Sequence, residues 1–361
     1  MQKVLTILGT RPEIIRLSQI IKLLDKSCDH VLVHSGQNFD ERLNGIFFEE
    51  LALRKPDIHL DIQGKGFGAQ IGDLLSKFED LLNKEQPDCV LILGDTNTGL
   101  AAYVAKRMGI RVYHMEAGNR CYDDHVPEEV NRRVIDHCAS VLLPYTYRSA
   151  ENLVREGIDR QRIFVTGNPI KEVLDTFAPQ IEASMALADH GLESGRYFLV
   201  SAHRAETVDV PVRLDALIET FNQVVDAYGM PLLVSLHPRT ADKMRQRGLD
   251  AGKATFVPPL GFFDFVKLQK EAFCVLSDSG TVQEECCIFG VPTVTLRKVT
   301  ERPETIECGS NILADVFPER VLPAIELITK ADHSWTPPAE YMAENVSHTV
   351  ARIILGIDSG D

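Results

Sequence analysis

Several short stretches place acids, arginines, a histidine or small hydroxyl residues immediately after apolar runs: Gly9-Thr10-Arg11-Pro12-Glu13, Gly94-Asp95-Thr96-Asn97, Glu116-Ala117-Gly118-Asn119-Arg120, Ser201-Ala202-His203-Arg204, His237-Pro238-Arg239 and Ser277-Asp278-Ser279-Gly280-Thr281. Carboxylates held in different environments can remove and return protons at one carbon. Cations, together with a helix N-terminus entered through small residues, can hold a phosphate. Each candidate also has a plainer reading. Asp95 at a strand end is an ordinary helix N-cap. Glu128, in Pro127-Glu128-Glu129, stands in a first helical turn, where the dipole favours an acid. His203 by itself is a satisfied histidine, and Arg204 beside it adds weight to a phosphate or leaving-group contact. Glu116 is harder to explain away, because a carboxylate at a buried strand end is costly unless an arginine pairs with it. Ser279-Gly280-Thr281 does not open an ordinary capping box, since the third helical position is Val282 and not Glu or Gln.

These residues need a frame, and the apolar pattern supplies one. Strand-like runs at Val4–Leu8, His30–His34, Val90–Leu93, Val112–Met115 and Val141–Leu143 alternate with helical patterns at Ile14–Asp25, Gln70–Asn83 and Glu128–Cys138. The second half repeats the scheme, with strands at Phe198–Ser201, Pro231–Ser235, Cys274–Ser277 and Thr293–Leu296 and helices at Arg213–Ala227 and Val282–Phe289. Such alternation predicts βα units in parallel sheets, and hence two αβα domains, with the ligand expected in the cleft between them at the carboxyl ends of the strands. Thr166-Gly167-Asn168-Pro169 marks the expected boundary, giving domains over 1–167 and 168–335; after the turn Trp335-Thr336-Pro337-Pro338, Glu340–Leu355 reads as a closing helix within a 336–361 tail.

Composition narrows the partners. In 361 residues, 38 Lys and Arg face 52 Asp and Glu, a formal net charge of −14. That is the wrong sign for gripping nucleic acid or an anionic membrane, so any phosphate must be met by a small local cluster of cations and amides. The eight cysteines form no C-x-x-C pair, the N-terminus has no secretory pattern, and no apolar run approaches the ~18–20 residues of a membrane span; a reducing cytoplasm is the expected compartment. Gly64-Lys65-Gly66-Phe67-Gly68 follows no strand and lacks the P-loop ending, so it is read as a loop. No G-x-G-x-x-G follows the first strand and no histidine pair has metal spacing, so neither a dinucleotide nor a metal cofactor is expected.

Gly9-Thr10-Arg11-Pro12-Glu13, Gly94-Asp95-Thr96-Asn97, His114-Met115-Glu116-Ala117-Gly118, Pro127-Glu128-Glu129 with Asn131-Arg132, Ser277-Asp278-Ser279-Gly280 with Gln283-Glu284-Glu285, and Glu301-Arg302-Pro303-Glu304 occur in that order over most of the chain. Together they resemble the non-hydrolysing UDP-N-acetylglucosamine 2-epimerases. The resemblance implies a GT-B-like pair of Rossmann-like αβα domains, a homodimer, and inversion of C2 in a UDP-linked 2-acetamido sugar by elimination of UDP to a 2-acetamidoglycal and its re-addition, with no redox cofactor or metal. It implies that Asp95, Glu116 and Glu128 are the acid/base carboxylates, that His203 stabilises the departing diphosphate, and that Arg11 and Arg16 lie near the phosphates and sugar. It further implies that Ser279, Gly280, Thr281 and Arg302 contact the diphosphate, that Glu285 holds the ribose and that Phe265 packs near the uracil.

The pattern also departs from the family. Arg16 stands where a lysine is usual, Thr281 where a second glycine is usual, and His203-Arg204-Ala205-Glu206-Thr207 where H-R-R-E-N is usual. Ser35-Gly36-Gln37-Asn38-Phe39-Asp40 replaces the stretch that carries a Gln-His pair in allosterically regulated members, which speaks against allosteric activation. That segment, Ile14-Ile15-Arg16-Leu17-Ser18, and Asn119 and Cys121 beside Glu116 are more similar to the branch that forms UDP-N-acetyl-L-fucosamine from a UDP-2-acetamido-2,6-dideoxy-L-talose. A UDP-sugar glycosyltransferase and a non-catalytic UDP-sugar sensor are the rival functions. A hydrolysing epimerase is a further one, but its usual opening, G-[ST]-R-A-E-Y, is absent here.

Overall fold

The structure is a computed structural model. It describes residues 1–36, 41–236, 238–250, 252–330 and 334–357, with backbone alone at 41–44, 205 and 238; Gln37-Asn38-Phe39-Asp40 and His237 lie outside the described residues. The predicted apolar runs become strands buried along most of their length, as parallel strands covered on both faces require. Lys3–Leu8 (β1), Asp29–His34 (β2), Ile58–His59 (β3), Cys89–Leu93 (β4), Arg111–Met115 (β5) and Val141–Leu143 (β6) form one parallel sheet in the order β3-β2-β1-β4-β5-β6. Phe198–Ser201 (β7), Leu232–Ser235 (β8), Thr255–Val257 (β9), Cys274–Ser277 (β10), Thr293–Thr295 (β11) and Asn311–Leu313 (β12) form a second, in the order β12-β11-β10-β7-β8-β9. Read from its other end, the second sheet has the same winding as the first. The strand order therefore reverses once in each sheet, between β1 and β4 and between β7 and β10, and those are the points where a doubly wound sheet opens a ligand crevice.

The chain divides into two compact units, Met1–Thr176 with Glu340–Asp361, and Phe177–Ala339. The first thus runs past the boundary expected near Gly167, because the helix Ile170–Thr176 packs on the helix Arg11–Ser27. The expected closing helix over Glu340–Leu355 is interrupted. A short 3-10 turn, Ala339–Met342, precedes Asn345, whose φ of 56° is left-handed, and the helix proper is Val346–Gly356. It returns to the Arg11–Ser27 helix, burying Val346, Val350 and Ile354, and its Ser347 N–H donates to Glu172 at 2.8 Å. Each such apolar burial contributes roughly 1.5–3 kcal/mol.

The loop read over Gly64–Gly68 is shorter than expected. The helix Phe67–Glu85 starts within it, with Gly66 at its N-cap, driven by an apolar face of Leu74, Phe78, Leu81 and Leu82. No helix among the described residues is long and apolar enough to cross a membrane.

Candidate active site

In the first unit the ends of three neighbouring strands converge. β1 pairs with β4, β4 pairs with β5 through Leu93 and Met115, and Gly94 N–H donates to the Met115 carbonyl at 3.1 Å. Asp95 and Glu116 therefore leave adjacent strands at the same edge. Glu116 turns off β5 with a φ of 65°, a left-handed backbone that costs a non-glycine residue about 1 kcal/mol, and its N–H is held by the Leu143 carbonyl at 3.1 Å. Its Oε2 lies 2.6 Å from Nη1 of Arg16, a guanidinium only 1% exposed that also sits 5.5 Å above the Tyr145 ring. The salt-bridge reading of Glu116 is thus correct as geometry, and the partner is itself a candidate residue.

Asp95 is held from the helix Pro127–Cys138. Arg132 places Nε 2.8 Å and Nη2 2.7 Å from its Oδ2, and Asn131 donates to the Asp95 carbonyl at 3.0 Å and to Asn97 Oδ1 at 3.2 Å. Arg132 is in turn held by fully buried Glu129 at 2.7 Å. Glu129 also accepts the Cys121 and Tyr122 N–H groups, each at 3.0 Å. Burial would raise the Glu129 carboxyl, but those N–H groups and Arg132 outweigh it and hold it below its ordinary range. Glu128 lies in the first turn of this helix, four residues before Arg132 and so on the same face. Arg11 opens the helix Arg11–Ser27 and stacks 5.8 Å over the Phe47 ring.

Beneath the strand ends lies a buried polar layer that the sequence reading passed over. His114 on β5 meets Asp136 through Nδ1 and the Gly94 carbonyl through Nε2, both at 2.8 Å, so it pins the turn that launches Asp95. Asp136 also receives Arg120 at 2.8 Å and the Gly118 N–H at 3.2 Å. Desolvation works against its charge, yet His114 and Arg120 keep its carboxyl below the ordinary value. Gly118 has a φ of 79°, and a Cβ there would stand 2.2 Å from the Ser149 carbonyl oxygen. Asn119 accepts the Ser149 hydroxyl at 2.8 Å, and Cys121 Sγ lies 3.4 Å from Glu129 and 3.8 Å from Arg132 Nη1. These two positions, which resemble the L-fucosamine-forming branch, thus brace the Glu116–Tyr122 loop and the Asp95 support. A signal for Arg132 was present in its spacing, three residues after Glu129 and four after Glu128. His114 stands in one of the ordered motifs, where its spacing shows no role of its own, and nothing local marks Asp136.

In the second unit, the corresponding reversal brings together the ends of β7 and β10. Buried Asp278 accepts the N–H groups of His203 and Arg204, each at 2.8 Å, and its other oxygen is 3.7 Å from His203 Nδ1. Ser279 is the N-cap of the helix Gly280–Phe289, without a side-chain cap bond, and its hydroxyl meets that of Thr281 at 3.0 Å. A Cβ on Gly280 would come within 3.2 Å of Glu301 Oε1 and 3.5 Å of Arg302 Cζ, so Arg302 stands against this helix end. Arg302 is ion-paired with Glu284, while Glu301 receives Arg204 at 3.3 Å and Arg297 at 2.8 Å. Glu285, nearly buried, accepts from Gln269 at 2.8 Å; Gln269 lies four residues beyond Phe265 on the helix Phe262–Lys270, which puts Phe265 and Glu285 in one neighbourhood. The candidates Asp95, Glu116, Glu128, Arg11 and Arg16 thus belong to the first unit, and His203, Phe265, Ser279, Gly280, Thr281, Glu285 and Arg302 to the second. Asp278, Glu301 and Arg297 are additions that the sequence reading gave no role.

A family profile described as UDP-N-acetylglucosamine 2-epimerase matches residues 22–355. The chain is 41% identical over 346 residues to a UDP-N-acetylglucosamine 2-epimerase of Methanocaldococcus jannaschii, spanning 93% of this chain and 94% of that protein. It is 36% identical over 316 residues to a UDP-2,3-diacetamido-2,3-dideoxy-D-glucuronate 2-epimerase of Pseudomonas aeruginosa, spanning 86% and 88%. Among solved structures, the M. jannaschii UDP-GlcNAc 2-epimerase in complex with UDP-GlcNAc and UDP matches with a TM-score of 0.93 at 39% identity, covering 98% of this chain and 99% of that one. The Rickettsia bellii UDP-N-acetylglucosamine 2-epimerase matches at 0.91 and 38%, covering 99% and 97%. Two Rossmann-like αβα units of the GT-B-like class, the ordered motifs and near full-length similarity lead to one conclusion: the chain belongs to the UDP-N-acetylglucosamine 2-epimerase family.

Proposed function

We propose that the chain interconverts UDP-N-acetylglucosamine and UDP-N-acetylmannosamine by inverting C2, without releasing a free sugar. One observation carries this reading: Glu116 on Arg16 at 2.6 Å and Asp95 on Arg132 at 2.7 Å leave adjacent strand ends. A neighbouring guanidinium favours the carboxylate, the form that can take a proton. A carboxylate removes the C2 proton, the C–H electron pair becomes the C1–C2 double bond, and the C1–O pair departs with UDP. UDP then re-adds to C1 of the 2-acetamidoglycal while a proton reaches C2 from the opposite face. Asp95, Glu116 and Glu128 share this proton traffic. His203, Arg302 and the Ser279-Gly280-Thr281 helix end meet the charge that develops on the diphosphate, with Arg11 and Arg16 as the cations of the first unit. Glu285 takes the ribose hydroxyls and Phe265 the uracil. The names of the M. jannaschii and R. bellii relatives support the choice of sugar.

Turnover of UDP-N-acetylglucosamine in deuterium oxide, followed by NMR, tests it. Deuterium should appear at C2 of the product; epimer formed without label rejects the elimination route, and free N-acetylmannosamine identifies a hydrolase. The same assay on UDP-2-acetamido-2,6-dideoxy-L-talose and on a diacetamido-uronate reads the sugar preference. Glu116→Gln should keep UDP binding and lose turnover, which separates an enzyme from a sensor. UDP release that depends on an added acceptor would mark a transferase. The same reading takes the working form as a cytoplasmic homodimer, and light scattering at the mass of one chain would overturn the dimer.

A further inference from the structure

Glu13 is buried to 2% exposure at the third position of the helix Arg11–Ser27. Its Oε2 accepts the Gly9 N–H at 2.5 Å and the Thr10 N–H at 3.0 Å, and its Oε1 accepts the Thr96 hydroxyl at 2.7 Å. The Thr10 bond belongs to a capping box and the Gly9 bond extends it by one residue, so neither needs further explanation than the helix start. The third leaves the helix altogether. Thr96 lies in the turn after β4 and directly follows Asp95, so one carboxylate joins the loop after β1 to the loop after β4, across the point where the strand order reverses.

The same turn is gripped elsewhere. Asn131 holds the Asp95 carbonyl and Asn97, and the Ser35 hydroxyl meets that of Thr98 at 2.8 Å. Glu13 is the grip that also holds the start of the Arg11 helix. A helix cap at the surface would do the capping without the desolvation cost of a buried carboxylate. We infer that Glu13 is a positioning residue for the epimerisation, a strap through Thr96 that sets the loop carrying Arg11 against the loop carrying Asp95. The assignment rests on the reading of Asp95 and Arg11 proposed above. Without the strap, a carboxylate displaced by about 1 Å from its reacting carbon loses on the order of 100-fold in rate.

Thr96→Val is nearly isosteric and cuts the strap while leaving the capping box in place. With UDP-N-acetylglucosamine and the other UDP-2-acetamido sugars as substrates, Thr96→Val should lower kcat at least about tenfold with KM within about twofold, and should lower the melting temperature by a few degrees, because the buried Glu13 Oε1 loses its donor. Thr96→Ser, which restores the hydroxyl, should recover most of the rate. The double variant Glu13→Ala with Thr96→Val should be no slower than Glu13→Ala alone, because both changes cut one connection. A Thr96→Val enzyme that keeps more than about a tenth of the natural kcat, or losses that multiply in the double variant, would overturn the strap. A natural chain that turns over none of these sugars overturns the epimerase reading and the strap with it, and that control tells the two failures apart.

Discussion

Glu13→Gln separates the electrostatic cost of this buried carboxylate from the bonds it makes. Burial, with Asp95 acting in the same direction, pushes the Glu13 carboxyl from 4.5 up to about 7, against the pull of its bonds to Thr96, Gly9 and Thr10. Between those values the folded chain binds the proton more readily than the unfolded one. The contribution to stability is therefore complete below pH 4.5 and is lost as the pH rises through 7. At about 1.4 kcal/mol per pH unit, the full loss is about 3 kcal/mol, of which about 1–2 kcal/mol falls between pH 5.8 and 8. Glutamine can keep all three bonds, its carbonyl accepting the Gly9 and Thr10 N–H groups and its NH2 donating to the Thr96 oxygen, but it does not titrate. Urea unfolding followed by circular dichroism at constant ionic strength, across that window, gives the stability of both chains. Their difference cancels every other titrating group. The variant should gain on the natural chain by about 1–2 kcal/mol from the acid to the alkaline end. Parallel stability curves would refute the reasoning, by showing that the three hydrogen bonds hold the carboxyl near its ordinary value.

Arg132→Met leaves fully buried Glu129 and the Asp95 carboxylate without their shared cation; a loss of about 3–5 kcal/mol and a collapse of kcat are expected, and calorimetry showing an unmoved melting temperature would contradict it. Arg132→Lys should recover only part, since one ammonium cannot copy the forked contact. Gly118→Ala meets the Ser149 carbonyl at 2.2 Å and requires a left-handed alanine, so soluble expression at the natural level with an unchanged melting temperature would show that the Glu116 loop is laxer than described. Gly280→Ala inserts a methyl group 3.2 Å from Glu301 Oε1 at the helix end assigned to the diphosphate; UDP affinity by calorimetry should fall about tenfold or more with the fold intact, and equal affinity would remove that helix end from the site. Cys308 lies 3.6 Å from Cys287, whose thiol lowers the Cys308 thiol below its ordinary value, so iodoacetamide near neutral pH should modify Cys308 first among the eight cysteines; mass mapping that finds Cys138 first would reject this.

Local pattern carried the fold a long way. The runs that became β1, β4, β7 and β10 are apolar nearly throughout, because a strand covered on both faces must be, and they could be read without knowing their neighbours. The edge strands β3, β9 and β12 could not. They are only two or three residues long, and Ile58-His59 or Asn311-Ile312-Leu313 become strand through pairing with a partner distant in sequence. The break before Val346 and the return of the last helix to the Arg11–Ser27 helix were hidden for a similar reason. An apolar helical face shows that something will cover it and does not name what.

The sequence by itself determined the alternation of strands and helices, the family, and the positions of Asp95, Glu116, Glu128 and His203 at element ends, since residue type and spacing are local and motifs keep their order along the chain. Tertiary structure alone decided which groups hold them: Arg16 on Glu116, Arg132 and Glu129 behind Asp95, His114 and Asp136 beneath the turn, Asp278 under His203, and Glu13 across to Thr96. These partners stand up to 100 residues apart, as Arg16 and Glu116 do. Whether a carboxylate is neutralised, strained or displaced depends on distances of a few ångströms that the winding of the sheet sets and that sequence order does not express.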